Sequence, residues 1–110
     1  MEESKNSKRL HGFTDVLKFD LNFSEKTYVC DLTLVLKHNN HSLNNVIYVI
    51  FIDVSCMNIK DFGGGLTQLL FLDVKYDNSF IDRKKYRVVD LENNQIEFFC
   101  NDFFILDQNP

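Results

Sequence analysis

From Phe13 to Ile105, apolar side chains recur at every second position in a succession of short runs, and clusters of Asn, Asp, Ser and Gly separate one run from the next. A period of two marks strands with one buried face, because neighbouring side chains of a pleated chain point to opposite sides. Composition agrees with the pattern: alanine is absent, Phe occurs 11 times, and Val, Ile, Leu and Tyr dominate the remaining apolar set. A chain of 110 residues, 45% of them hydrophobic, can bury a core of its own without a cofactor to nucleate it. The expected fold class is all-β: one domain spanning residues 1–110, with 1–10 as a flexible lead-in, built as an antiparallel sandwich or partly open barrel of about six or seven strands.

The first strand is placed at Val16 to Phe23, where Leu17, Phe19, Leu21 and Phe23 share the inward face and Lys18, Asp20 and Asn22 the other. A turn at Ser24, Glu25 and Lys26 leads into Thr27 to Lys37, with Tyr28, Cys30, Leu32, Leu34 and Leu36 inward. The two form a long antiparallel hairpin. After a polar loop, His38 to Asn45, the run Val46 to Ile52 is apolar on both faces. Such a run is a central strand covered on each side, or one that passes from one sheet to another, and Asp53 suggests a bend there. Leu69 to Tyr76 resumes the alternation, with Leu70, Leu72, Val74 and Tyr76 on one face. Tyr86 to Leu91 and Gln95 to Cys100 make a second hairpin. Across Asn101 and Asp102 the inward set changes from even (Ile96, Phe98, Cys100) to odd (Phe103, Ile105), which reads as a bulge.

Charge and patterning exclude several classes of function. The formal charge is -4 and is spread along the chain, so there is no cationic track for a nucleic-acid backbone. Met1 to Arg9 is too polar to be the core of a secretory signal, and the apolar runs fall short of the roughly 20 residues that span a bilayer as a helix. The expected location is the cytosol. Cys30, Cys56 and Cys100 are odd in number and lack CxxC spacing, which fits reduced thiols acting as small core hydrophobes.

The residues with chemical potential do not assemble into a reaction centre. Gly63, Gly64 and Gly65 could cradle a phosphate, but the Lys and Ser or Thr of a P-loop do not follow; Leu66, Thr67 and Gln68 stand there instead. His38 and His41 have a spacing found in zinc sites, yet no further ligands stand at matching separations, so they read as loop histidines. A Cys and His dyad has no fixed pairing. Asp15, Asp20, Asp31, Asp53, Asp61, Asp73 and Asp90 take outward or strand-end positions and read as a solvated acidic surface. No catalytic residue, metal ligand or cofactor is assigned. Aromatic neighbours are more telling: of Phe98 and Phe99, and of Phe103 and Phe104, one member each must face away from the core. The candidate partner-binding residues are Asp61, Phe62, Gly63, Gly64, Gly65 and Phe104.

With these segments placed, Leu10 to Ile105 resembles a class of small bacterial proteins encoded beside polymorphic or contact-dependent toxins and regarded as their immunity proteins. The matching features are the opening His11, Gly12, Phe13, Thr14, Asp15, the run Val46 to Ile52, the step Asp61, Phe62, Gly63, and the segment Glu92 to Cys100. The resemblance implies a non-enzymatic cytosolic inhibitor that binds one cognate toxin domain. An acidic chain suits a basic partner, since complementary charge speeds encounter. The competing reading is a small structural domain whose outward aromatics pair with a second copy of itself.

The hairpin register can be tested directly. Leu34 lies mid-strand on the inward face, so Leu34→Ala is expected to cost about 2–5 kcal/mol in a denaturant titration, while Lys37→Ala on the other face costs little. The reverse order would mean a register slip of one residue.

Overall fold

The computed structural model describes residues 10–40, 45–60, 72–76, 85–90 and 95–107. These contain eight strands: β1 (Phe13–Phe23), β2 (Cys30–His38), β3 (Val46–Ile52), β4 (Ser55–Ile59), β5 (Leu72–Tyr76), β6 (Tyr86–Asp90), β7 (Ile96–Cys100) and β8 (Asp102–Leu106). They form two four-stranded sheets, in the orders β1-β2-β3-β8 and β4-β7-β6-β5, with every pair antiparallel. The sheets stay open, so the all-β expectation resolves as a sandwich. The strand beyond the expected six or seven is β4, which lies where the sequence showed only a bend after Asp53.

The layers are joined by two strands that change sheet side by side. Chain leaving β3 enters β4, and chain leaving β7 enters β8. Ile52 faces Asp102 before the corner and Ser55 faces Phe99 after it, so a step of three residues on one strand matches three on the other and the register runs through unbroken. The parity switch at Asn101 and Asp102 is therefore a sheet crossing rather than a bulge. The returning strand swaps its buried set there, from Ile96, Phe98 and Cys100 to Phe103 and Ile105, because the core lies on the opposite side of the second sheet. Backbone bonds brace the corner: the Asn101 N–H donates to the Ile52 carbonyl (2.9 Å) and the Val54 N–H to that of Cys30 (2.6 Å).

Between the sheets, Leu32, Leu34, Leu36, Ile47, Val49 and Phe51 meet Leu72, Val74, Val88, Ile96, Phe98 and Cys100 in one apolar cluster. Full burial of a side chain such as Leu34 contributes about 1.5–3 kcal/mol. Rings stitch the layers together. Phe51 packs edge-on against Phe98 across the core (4.9 Å), Phe103 lies nearly parallel to Phe51 (6.2 Å), and Tyr86 meets Phe103 edge-on (5.1 Å).

Strands β1 and β2 pair as a hairpin, with Leu32, Leu34 and Leu36 inward as expected. Their outer reaches differ from the sequence reading. Register shifts at Thr14 and Leu17 insert extra residues into β1, which extend the strand back to Phe13 and change its inward set from Val16 to Phe19 across the second shift. Leu17, Leu21 and Phe23, expected inward, are exposed (56%, 45% and 72%). Leu17 sits in the bulge, while Leu21 and Phe23 stand on an edge strand toward the hairpin tip. Tyr28, also expected inward, precedes β2 and is exposed. It takes φ 60° and donates its N–H to the Ser24 carbonyl (2.8 Å), so the turn is wider than Ser24 to Lys26. On β5, Leu72 and Val74 are buried as expected, but Tyr76 is exposed and rests edge-on against Tyr86 (5.6 Å).

At the end of β1 away from the corner, Gly12 takes φ +92°, and a Cβ built there would lie 2.9 Å from His38 Nε2. His38 is thus a packed side chain at the end of β2 and not a loop histidine: its ring meets Phe13 edge-on (4.9 Å) and its Nδ1 accepts the Asn40 N–H (2.9 Å). We expect Gly12→Ala to lower stability by about 1–3 kcal/mol, from the combined steric clash and positive φ. In a His38→Ala background the penalty should shrink without vanishing, since only the clash is relieved; equal penalties in the two backgrounds, read by chemical denaturation, would refute the contact.

Candidate protein-binding face

The outward face of the first sheet is set by the strand registers. Because directly opposed residues of antiparallel strands share a face, the outward side chains line up across the sheet as Lys18, Val35, Tyr48 and Leu106, and next as Asp20, Thr33, Ile50 and Phe104. Ile52 and Asp102 follow toward the corner. Tyr48, Ile50, Ile52, Phe104 and Leu106 do not belong to the core cluster. They form an apolar stripe along β3 and β8 in which Phe104 stands out at 48% exposure and the others are half-buried. This stripe explains why Val46 to Ile52 is apolar on both faces. One face fills the core, the other lines the outside of the sheet, and the strand's chain then crosses into the second sheet.

The second sheet differs on its outward side. Arg87 is ion-paired with Glu97 (Nη2 to Oε2 2.7 Å, Nε to Oε2 2.9 Å), and Lys75 lies 4.0 Å from Asp73. Exposed pairs of this kind add only about 0–1 kcal/mol, but they keep a face wetted. The apolar stripe, in contrast, has carboxylates near its corner end, with Asp20 and Asp102 exposed and Asp31 half-buried. An apolar centre with a polar margin is the arrangement of a protein interface.

Of the candidates named from sequence, Phe104 lies on this face, opposite Ile50. Asp61, Phe62, Gly63, Gly64 and Gly65 lie outside the described residues, as does His41. Sequence reasoning missed Tyr48, Ile50, Ile52 and Leu106, although the double-sided hydrophobicity of Val46 to Ile52 carried the signal for three of them. The aromatic pairs divide as expected: Phe98 and Phe103 are buried, Phe99 is half-buried and Phe104 is exposed.

The acidic-surface reading needs correction at three positions. Asp15, Asp53 and Asp90 are buried. Asp15 accepts a hydrogen bond from the Thr14 hydroxyl (3.1 Å), Asp53 occupies the corner after β3 with its backbone N–H donating to the Asp31 carboxylate (3.0 Å), and Asp90 ends β6 opposite Leu72. Among the described residues, no group of three or more His, Cys, Asp or Glu side chains could hold a metal ion.

The cysteines also differ from one another. All three are free. Cys56 is exposed, at φ 55° in the irregular stretch of β4, and so is not the core hydrophobe expected. Cys100 is buried, and its thiol is pushed up from 9.0 to about 12, first by desolvation, then by the charge of Asp102, with Asp53 a lesser cause and a backbone hydrogen bond at Asp102 opposing. The Cys30 thiol is raised by desolvation and by adjacent Asp31, against a backbone hydrogen bond at Asn22.

A family model, that of immunity protein PIM8, matches residues 1–106, and the chain belongs to this family of immunity proteins. No curated protein and no solved structure matches it. Among the described residues, no helix is long and apolar enough to cross a membrane.

The contrast between the thiols predicts a reactivity order and a pH effect. Cys56 should react with a disulfide reagent in the native state, and Cys100 only on unfolding. Between about pH 9 and 12 the unfolded state releases the Cys100 proton while the folded state retains it, so stability falls as pH rises, by up to about 1.4 kcal/mol per unit from this group. Cys100→Ala should have a shallower decline over that window, and parallel curves for the two proteins would contradict the assignment.

Proposed function

We propose that this protein is a non-catalytic inhibitor that neutralises one cognate toxin domain, and that it does so by seating the outward face of the first sheet on that domain, with Ile50 and Phe104 at the centre of the contact. The observation that carries the reading is the apolar stripe on β3 and β8 of a chain in an immunity-protein family. Aromatic anchors at the middle of a patch supply most of the energy of a protein interface, and surrounding polar groups exclude wrong partners. The chain's charge of -4 and the carboxylates of Asp20 and Asp102 suit a toxin surface rich in Lys and Arg. On sequence grounds, Asp61, Phe62 and Gly63 to Gly65 form a second contact in this proposal. Such an inhibitor works in the compartment its toxin attacks, which for a cell protecting itself is the cytosol.

The test is co-expression with the toxin domain encoded beside it, together with a binding titration of the purified pair. Wild type should protect the host. Phe104→Glu and Ile50→Lys should each weaken binding by at least about 2 kcal/mol, roughly 30-fold in Kd, and abolish protection while the circular dichroism stays native. Lys75→Ala, on the outward face of the second sheet, should protect like wild type. Variants on the stripe that bind and protect normally would exclude this face, and a wild-type chain that binds no toxin domain would overturn the reading as a whole.

A further inference from the structure

Four strands are edges: β1 and β8 of the first sheet, β4 and β5 of the second. Edge strands commonly carry a bulge or a charge that discourages another chain from pairing with them. Strand β1 has bulges at Thr14 and Leu17, β4 loses register between Ser55 and Asn58, and β5 bears Asp73 and Lys75. Strand β8 keeps an unbroken register with β3 and is uncharged from Phe103 to Leu106. Among the described residues no strand lies against its other side. One hydrogen bond shows which backbone groups face that side. The Phe103 N–H donates to the Asp102 Oδ1 (2.8 Å) and so points away from β3. In a strand the N–H and C=O of one residue point the same way, and those of the next residue but one follow. The Phe103 carbonyl and the N–H and carbonyl of Ile105 therefore face the open edge, which Asp102 plugs only at the corner end.

We infer, resting on the reading of the stripe as the toxin contact, that an extended segment of the toxin domain lies beside β8 as a fifth strand of the first sheet, with an apolar side chain beside Phe104 and, two residues away, a Lys or Arg beside Asp102. Main-chain bonds to such a segment supply affinity, and its alternate side chains supply specificity. A second copy of this chain does not fit. Opposite residues across a two-fold seam must share a face, so the seam is centred on a residue. Centring on Asp102 opposes two carboxylates. Centring on Phe103 or Phe104 sets Asp102 against Phe104 or Leu106, and centring on Ile105 or Leu106 sets Asp107 against Phe103 or Ile105. Every register thus leaves a carboxylate against its like or against an apolar side chain, whereas a basic residue on a foreign segment meets Asp102 with opposite charge.

The test uses the purified toxin domain encoded beside this chain. On its addition the Ile105 amide, at the open edge, should exchange with solvent at least about tenfold more slowly. Methylating that nitrogen alone, by ligating a synthetic Cys100–Pro110 segment to residues 1–99, keeps every side chain and should weaken binding at least about tenfold against the same ligated chain without the methyl group. Should the methylated chain fail to refold, the exchange of the unmodified chain decides. Asp102→Asn retains an oxygen for the Phe103 N–H but removes the charge, and should make binding less sensitive to salt. Phe104→Glu separates two failures. If it weakens binding while Ile105 exchange and methylation have no effect, the toxin domain covers the face without adding a strand, and the inference is overturned with the proposed function intact. If the wild-type chain binds no toxin domain, both fall. Unchanged salt dependence in Asp102→Asn would also overturn it, as would Ile105 protection that grows with the concentration of this chain alone, which would assign the edge to a second copy.

Discussion

The bend at Asp53 governs this architecture. An L-residue at φ 60° is strained, and the strain is offset by fixed partners. The Asp31 carboxylate accepts the Asp53 N–H, and the Cys30 carbonyl accepts that of Val54. Both partners sit at the very start of β2, so the first hairpin holds the corner through which β3 leaves its sheet. The neighbouring crossing at Asn101 follows from it, because the returning strand stays in register with the departing one. Two sheets that share such a ribbon must lie face to face, and the core between them is the consequence. Phe51, one residue inside the ribbon's bend zone, then meets Phe98 and Phe103, which flank the opposite crossing.

The same geometry separates the two outward surfaces. The residues that alternate with core positions are apolar on β3 and, apart from Asp102, on β8, whereas those on β5, β6 and β7 include Asp73, Lys75, Arg87 and Glu97. A sheet that needed only water on its outer side would alternate cleanly. The apolar stripe on the first sheet is the surface that the proposed partner contact uses, and membership of an immunity-protein family supports that proposal.

Period-two hydrophobicity is enough to place β3, β6 and β7 within a residue or so, and the inward set Leu32, Leu34 and Leu36, because a buried face leaves a direct trace in the order of residues. What it misses are features set by pairing rather than by pattern. The bulges in β1 are invisible in Phe13 to Phe23 because each inserted residue is itself plausible for a strand, so Leu17 reads as core when it is not. Tyr28 keeps the right parity but lies outside the ladder. Asn101 and Asp102 do show the switch of faces, yet a bulge and a sheet crossing leave the same trace in one strand, and only the pairing of β7 and β8 in different sheets tells them apart. As for the candidate face, Phe104 was legible as an aromatic with nowhere to go. Its companions on β3 were hidden by the assumption that a run apolar on both sides is covered on both sides.

The pairing of Tyr48 with Leu106 also fixes when the fold can exist during synthesis. Strands β1, β2 and β3 can pair as soon as they emerge, since their contacts are local, but β3 keeps one edge open until β8 has been made. Long-range pairing of this kind is slow to form, because the ends of the long intervening segment, which carries β4 to β7, must first be brought together. The outward stripe is divided between those two strands. No partial chain that lacks β8 presents the assembled Ile50 and Phe104 surface, so the stripe exists only once β8 has left the ribosome.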